Sequence, residues 1–228
     1  MFFYDSTYIL VIIGLLLTML VQFYMQSTFN KYQRVNSKIG ITARDAAERI
    51  LIGNGINDVR IGMVQGDLTD HYAPLKDELN LSQTTYNSTS IASIGVAAHE
   101  VGHAIQDHKG MVLLKLQMRL VPVVNFCSML SMPIIIAGIL FGIFGLARLG
   151  VYLFGATLAY QVITLPIEFN ASSNAIKTLR ELNLMDEEEL DGVKKVLTAA
   201  ALTYVAAVAN TALQLLRLLI ITKNNRRS

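Results

Sequence analysis

The chain has 228 residues, of which 53% are hydrophobic, and this fraction is higher than an ordinary soluble domain carries. The formal net charge is only +2 and the lysines and arginines are scattered, so neither charge nor any motif favours nucleic-acid binding. These observations favour a membrane protein whose partners are lipid and protein, with no role in binding nucleic acid.

Four apolar stretches approach the length of about 20 helical residues that is needed to cross a hydrocarbon core. The first has no basic segment before it and no Ala-x-Ala cleavage pattern after it, so we interpret it as a retained anchor rather than a signal peptide. A short turn around Arg148 and Gly150 separates the second and third, which predicts a transmembrane hairpin that returns the chain to its starting side. The four stretches cover residues 8–25, 121–146, 151–167 and 196–221.

The segment between the first two stretches is mixed in polarity and long enough for a small folded domain. Thr42 followed by Asp45 is a capping-box pattern that predicts a helix over 42–53, and the serines and threonine at 88–90 can cap a second helix over 90–108. Alternating apolar residues and turn residues predict three short strands between these helices, forming a small antiparallel sheet. We therefore expect a mainly α-helical membrane protein with about four transmembrane helices and a small α+β domain.

The rest of the chain is predicted to be helical. Residues from Glu168 to Leu182 have helical character, and the acidic run that starts at Asp186 suits the beginning of a long helix that enters the last apolar stretch. The predicted division is an anchor, a domain carrying the second helix, a hairpin, a helical connector, and a last helix with a basic tail. These parts cover residues 1–27, 28–120, 121–167, 168–195 and 196–228.

The second predicted helix contains the run His99-Glu100-Val101-Gly102-His103, which is an H-E-x-x-H motif. Positions i and i+4 of a helix lie about 40° apart around the axis and roughly 6 Å along it, so both imidazoles can reach one Zn²⁺. Glu100 then lies beside them, where a carboxylate can take a proton from an attacking water. The motif predicts one zinc ion per chain held by His99 and His103, with Glu100 as the general base.

A catalytic zinc needs a third protein ligand and one open position. His108 is on the same helix as His103 but about 140° around it, which does not suit a shared metal. Glu168 directly follows an apolar stretch, and the predicted hairpin would return it to the side where the two histidines lie. Glu168 is therefore the predicted third ligand.

The membrane topology and three sequence runs together resemble the YugP family of neutral zinc metallopeptidases over nearly the whole chain. The runs are Leu68-Thr69-Asp70-His71-Tyr72, the H-E-V-G-H helix, and the segment 165–172. That family is similar in plan to HtpX and the CAAX prenyl proteases, which are gluzincins with a glutamate as third ligand. The resemblance implies a zincin-like domain over 28–120 and the ligand role of Glu168. Ser172 stands where those enzymes have an aspartate that orients a ligating histidine, which implies a different support for the histidine here.

His71 and Tyr72 lie on a predicted strand that precedes the H-E-x-x-H helix. Either side chain could donate a hydrogen bond to the oxyanion that forms when water adds to a scissile carbonyl, and packing on the sheet surface is the alternative role. An exposed edge among these strands would also suit an extended substrate that adds as a further strand.

The sequence thus predicts a membrane-embedded zinc metalloendopeptidase acting on a peptide or membrane-protein substrate. One alternative is a site-2-type intramembrane protease that uses Asp191 of Leu190-Asp191-Gly192, although the apolar stretch 91–105 is too short to span a membrane. Another is a catalytically silent zinc-binding scaffold, which would have no need of Glu100.

The basic residues predict the orientation. The basic residues near the membrane ends on the side of the metal site outnumber Lys223, Arg226 and Arg227 at the tail. The positive-inside rule places the side with more basic residues in the cytoplasm. We expect a protein of a bacterial cell membrane with the active site facing the cytoplasm. The basic residues on the side of the site are Lys31, Arg34, Lys38, Lys177, Arg180, Lys194 and Lys195.

Overall fold

The computed structural model describes residues 6–224, so Arg226 and Arg227 of the basic tail lie outside the described residues. The described chain is mainly helical and carries one small sheet. Four of its helices, α1, α5, α6 and α7, are long and apolar enough to cross a membrane, as predicted. The elements in chain order are α1 (Tyr8–Gln33), α2 (Ala43–Gly53), β1 (Arg60–Val64), β2 (His71–Ala73), β3 (Glu78–Ser82), α3 (Gln83–Tyr86), α4 (Ile91–His108), α5 (Val112–Leu140), α6 (Phe144–Glu181) and α7 (Glu187–Asn224).

The chain forms two compact units. The first, which we call the helical unit, consists of the described residues 6–22, 116–165 and 203–224. The second, which we call the mixed unit, consists of residues 23–115 and 166–202 and contains the sheet.

The two short helices predicted from capping patterns are confirmed. The Thr42 side chain accepts a hydrogen bond from the Asp45 N–H at the start of α2, and the Ser90 side chain accepts one from the Ser93 N–H at the start of α4. These bonds satisfy backbone donors that have no partner within the helix. Helices α2 and α4 pack against each other through alanines and isoleucines that are almost fully buried, and this contact forms the core of the mixed unit.

The predicted sheet is antiparallel, and this is correct for one pair of strands and wrong for the other. β3 is central, with Leu79 and Leu81 fully buried; β2 pairs with it antiparallel, but β1 pairs with it parallel. The loop after β1 has positive φ at both Gly66 (100°) and Leu68 (54°). After this loop the chain does not pair with β1 but passes to the far side of β3, giving the order β1-β3-β2.

The hairpin turn lies earlier than predicted. α5 ends at Leu140 and α6 begins at Phe144, with Gly142 at a φ of 66°, so Arg148 and Gly150 are inside α6. Gly150 has a different reason to lack a side chain: an added Cβ would lie 2.7 Å from the Ser131 carbonyl oxygen of α5. The glycine that suggested a turn is instead a point of close contact between the two helices.

The residues from Glu168 to Glu181 are helical as predicted, but they do not form an element of their own, because α6 runs through Pro166 to Glu181. Proline removes one backbone donor from a helix interior, which disfavours this position in an isolated helix. Here the residues that follow, Ile167, Ala171 and Ala175, are fully buried at intervals of four, and this packing supports the helix on the far side of the proline. The consequence is that Glu168 is held in the middle of a rigid element.

Candidate metal centre

The two histidines of the H-E-x-x-H motif lie together on α4. Their ring centroids are 4.8 Å apart and the rings are nearly perpendicular, at 87°. Each side chain is only 15% exposed. An imidazole pair this close on one helix face can direct both Nε2 atoms to a common point.

The third member of the cluster comes from α6. Glu168 Oε2 is 3.2 Å from His99 Nε2 and 3.7 Å from His103 Nε2, and the candidate ligand atoms of all three residues lie within 4.8 Å of one another. In a tetrahedral zinc site with bonds of about 2.0–2.1 Å, neighbouring ligand atoms are about 3.3 Å apart. The two histidine–glutamate distances are close to this value, and a donor set of two imidazole nitrogens and one carboxylate oxygen suits a catalytic zinc.

The other ring nitrogen of each histidine has a hydrogen-bond partner. His103 Nδ1 is 3.0 Å from Gln106 Oε1, so Nδ1 carries the proton and Nε2 is free for a ligand. The amide of Gln106 is buried and donates in turn to the Ile167 carbonyl oxygen and to Asn170 Oδ1. Gln106 was not predicted, and its signal in the sequence is a polar residue three positions after His103 on an apolar helix face.

Ser172 supports the other histidine. Its Oγ lies 3.1 Å from His99 Nδ1. A hydroxyl therefore occupies the position where the resemblance implies an aspartate, and the hydrogen bond that it forms is a neutral one. Charge-assisted hydrogen bonds are roughly twice as strong as neutral ones, so the support of His99 by Ser172 is different from, and weaker than, that by an aspartate.

Helices α4 and α6 approach each other closely at the site. A Cβ added to Gly102 would collide with the backbone carbonyl group of Ala171. Gly102 follows His99 by three residues and Ala171 follows Glu168 by three, so each lies on the same helix face as its ligand. The missing side chain at Gly102 therefore allows the carboxylate of one helix to reach the imidazoles of the other.

Glu100 is held beside the cluster by a strand. Its Oε2 accepts a hydrogen bond of 3.0 Å from the backbone N–H of Tyr72 in β2. Burial raises the pKa of Glu100, although the neighbouring histidines act in the opposite direction. A carboxylate with a raised pKa accepts a proton more readily, which suits a general base.

Comparison with known proteins adds to this geometry. Residues 7–223 match the family described as "Putative neutral zinc metallopeptidase". The chain belongs to this family. It is also 43% identical over 217 residues to the "Putative membrane protease YugP" of Bacillus subtilis strain 168, covering 95% of this chain and 96% of that protein. No solved structure shows a significant match. The family predicted from the sequence resemblance is thereby confirmed.

The two remaining predicted site residues, His71 and Tyr72, form side-chain hydrogen bonds with residues outside the three-residue cluster. The Tyr72 hydroxyl donates to Asp107 Oδ2 at 3.1 Å, and burial together with this carboxylate raises the pKa of Tyr72, so the hydroxyl stays protonated. His71 is exposed, with Nδ1 2.9 Å from the Thr69 carbonyl oxygen and Nε2 3.4 Å from Asn80. Among the hydrogen bonds of the described residues, none joins His71 or the Tyr72 hydroxyl to the three-residue cluster. Their oxyanion role stays a prediction.

The alternative ligand Asp191 lies on the exposed surface of α7, where its carboxylate pairs with Lys195 one turn later. The candidate metal cluster in the described chain contains Glu168 and not Asp191. Helix α4 is also absent from the candidate spans of residues 6–224. Both observations weigh against a site-2-type arrangement.

Proposed function

We propose that this protein is a membrane-embedded zinc metalloendopeptidase of the gluzincin type. The observation that carries the proposal is the meeting of His99, His103 and Glu168 within 4.8 Å, with Glu100 on the same helix as the histidines. These three residues would hold one zinc ion per chain and leave a position open. When bound, zinc supplies a Lewis acid that polarises a carbonyl and lowers the pKa of water.

The residues of the chain have separate tasks in hydrolysis. Glu100 takes the proton from the attacking water and passes it to the amine that leaves, so the peptide C–N bond breaks without a free proton being released. The Tyr72 N–H fixes one carboxylate oxygen of Glu100, which leaves the other oxygen available for the water. Gln106 and Ser172 hold the imidazoles in place. His71, or Tyr72 after leaving Asp107, would donate to the oxyanion.

The substrate proposed is a peptide segment, free or part of a membrane protein, bound in an extended conformation. β2 is an edge strand of the sheet, and its Tyr72 contacts Glu100, so a segment added along this edge would pass the cluster. The four long apolar helices support a location in a lipid bilayer. We place the protein in a bacterial cell membrane with the site on the cytoplasmic side, from the resemblance and the distribution of basic residues.

The first prediction tests catalysis separately from metal binding. In the purified full-length protein, Glu100→Gln should keep about one zinc per chain and lower the rate of peptide cleavage by about 10²–10⁴-fold, because only the proton acceptor is lost. His103→Ala should lose both zinc and activity. Zinc is measured by elemental analysis and cleavage with a mixture of unfolded protein substrates.

Two outcomes would contradict the assignment. Wild-type cleavage by Glu100→Gln would remove Glu100 as the base, and full zinc occupancy in His103→Ala would remove that ligand. A wild-type protein that binds zinc but cleaves no substrate, with or without Glu100, would favour the zinc-binding scaffold.

A further inference from the structure

A cavity that the proposed peptidase chemistry does not use lies in the helical unit, where α6 begins and α7 ends. Its volume is about 340 Å³, within the range of small-molecule sites. Arg148 of α6 and Lys223 of α7 contribute one cation each. The rest of the lining consists of Val151, Tyr152, Leu219 and Thr222.

Among the described residues, the two cations have no acidic partner. The salt bridges of the described chain do not include Arg148 or Lys223, and the described residues of the helical unit contain no aspartate or glutamate. Arg217 adds a third positive charge on α7, with its guanidinium 4.2 Å from the centre of the Tyr8 ring. Among the described residues, this end of the unit therefore carries cations and no acidic group, and such a patch attracts an anion.

The position of the cations along the helices indicates which kind of anion. Arg148 lies one turn after the start of α6 at Phe144, and Lys223 lies in the last turn of α7. Both helices are candidate membrane spans, so the two cations sit where a span ends, at the level of lipid headgroups. Tyr152 is 71% exposed beside them, which suits an aromatic residue at the membrane interface.

We propose that this cavity binds the headgroup of an anionic phospholipid. The phosphate lies between Arg148 and Lys223, and the acyl chains continue along the apolar side of the cavity formed by Val151 and Leu219. Basic pockets between transmembrane helices recognise such headgroups by charge, while the apolar wall holds the chains. A lipid matches both parts of the lining, whereas a free phosphate matches only the cations.

The test compares two lipids that differ only in headgroup. The full-length protein in neutral detergent is titrated with phosphatidylglycerol and with phosphatidylcholine of the same acyl chains, and binding is followed by native mass spectrometry and thermal stability. Phosphatidylglycerol should bind the wild type more tightly. Arg148→Gln and Lys223→Gln should each weaken that binding by about fivefold, and the double variant should bind the two lipids equally.

A matched control is Arg119→Gln, which removes an exposed arginine of the same unit that does not line the cavity. It should bind phosphatidylglycerol as the wild type does, and so should Lys223→Arg, which keeps the charge. The proposal is overturned if phosphatidylcholine binds as tightly as phosphatidylglycerol, or if Arg119→Gln lowers the affinity for phosphatidylglycerol as much as Arg148→Gln does. It is also overturned if inorganic phosphate stabilises the protein as well as the lipid does. Size-exclusion chromatography and cooperative thermal unfolding, measured on every variant, identify one that has failed to fold.

Discussion

At the scale of single residues, the carboxylate of Glu168 is buried at the candidate metal centre. It is only 7% exposed, and a buried carboxylate is costly unless charged or hydrogen-bonding groups compensate it. Its contacts at the site are the two imidazoles of His99 and His103. A cation bound between these three groups would compensate the carboxylate better than neutral imidazoles do.

The second prediction follows from this arrangement. Glu168→Gln should weaken zinc binding by more than about 100-fold, beyond the loss expected for a residue that only supports a ligand, and nearly abolish cleavage. Asp191→Asn, which removes an exposed carboxylate paired with Lys195, should leave both properties unchanged. Zinc affinity is measured by competition with a chromophoric chelator. If Asp191→Asn loses the metal while Glu168→Gln retains it, the site-2 interpretation is correct.

The third prediction concerns the groups that orient the imidazoles. Gln106→Ala should lower zinc affinity by about 10–100-fold, because it frees the ring of His103 to rotate. Ser172→Ala should have a smaller effect, since it removes only a neutral hydroxyl. Gln117→Ala is the control: its amide donates to Thr164 within the helical unit, and zinc affinity should not change. Equal affinities for Gln106→Ala and Gln117→Ala would show that Gln106 does not orient the ligand.

Some of these residues could be predicted from the sequence and others could not, because only the first group depends on spacing within a single helix. His99, Glu100 and His103 share one helix, so spacing alone places them together. The support from Gln106 depends on Asn170 and the Ile167 carbonyl of another helix. The hydrogen bond to Glu100 comes from the backbone N–H of Tyr72, whereas the sequence predicts a role for the Tyr72 side chain. No residue pattern encodes a backbone N–H.

At the scale of elements, glycines set the distances between helices. Gly102 brings α4 against the backbone of α6, and Gly138 and Gly150 bring α5 and α6 together. This explains the misplaced hairpin turn, because a glycine that permits close packing has the same sequence signal as one that permits a turn. Pro166 lies inside α6, and the buried stripe that follows it supports the helix beyond the proline.

The fourth prediction tests this close contact. Gly102→Ala should destabilise the protein by about 1–3 kcal/mol and weaken zinc binding, because the added methyl group pushes α4 away from Ala171 and the imidazoles away from Glu168. The control is Gly155→Ala in α6, where the nearest atom to an added Cβ is 4.0 Å away. That variant should be as stable as the wild type or more so. Thermal unfolding and zinc affinity of Gly102→Ala equal to those of the control would exclude the proposed role of the contact.

At the scale of the whole molecule, the membrane helices also carry parts of the site. α6 belongs to the helical unit up to residue 165 and to the mixed unit from 166, so Glu168 lies just past the boundary on an uninterrupted helix. An even number of crossings between α4 and Glu168 is required for the cluster to form, and α5 and the first part of α6 provide two. A soluble zincin has no such requirement. If these helices cross a membrane as proposed, the number of crossings determines whether Glu168 can reach the two histidines.

The fifth prediction is the sidedness of this topology. Cys127 is the sole cysteine, so a Cys127→Ser protein can carry single reporters at Leu75→Cys, between β2 and β3, and at Phe141→Cys, between α5 and α6. Both positions are highly exposed. With the site in the cytoplasm, a membrane-impermeant thiol reagent should label Phe141→Cys in intact cells and label Leu75→Cys only after permeabilisation. The reverse pattern would place the site outside the cell, and labelling of both in intact cells would contradict the hairpin that brings Glu168 to the histidines.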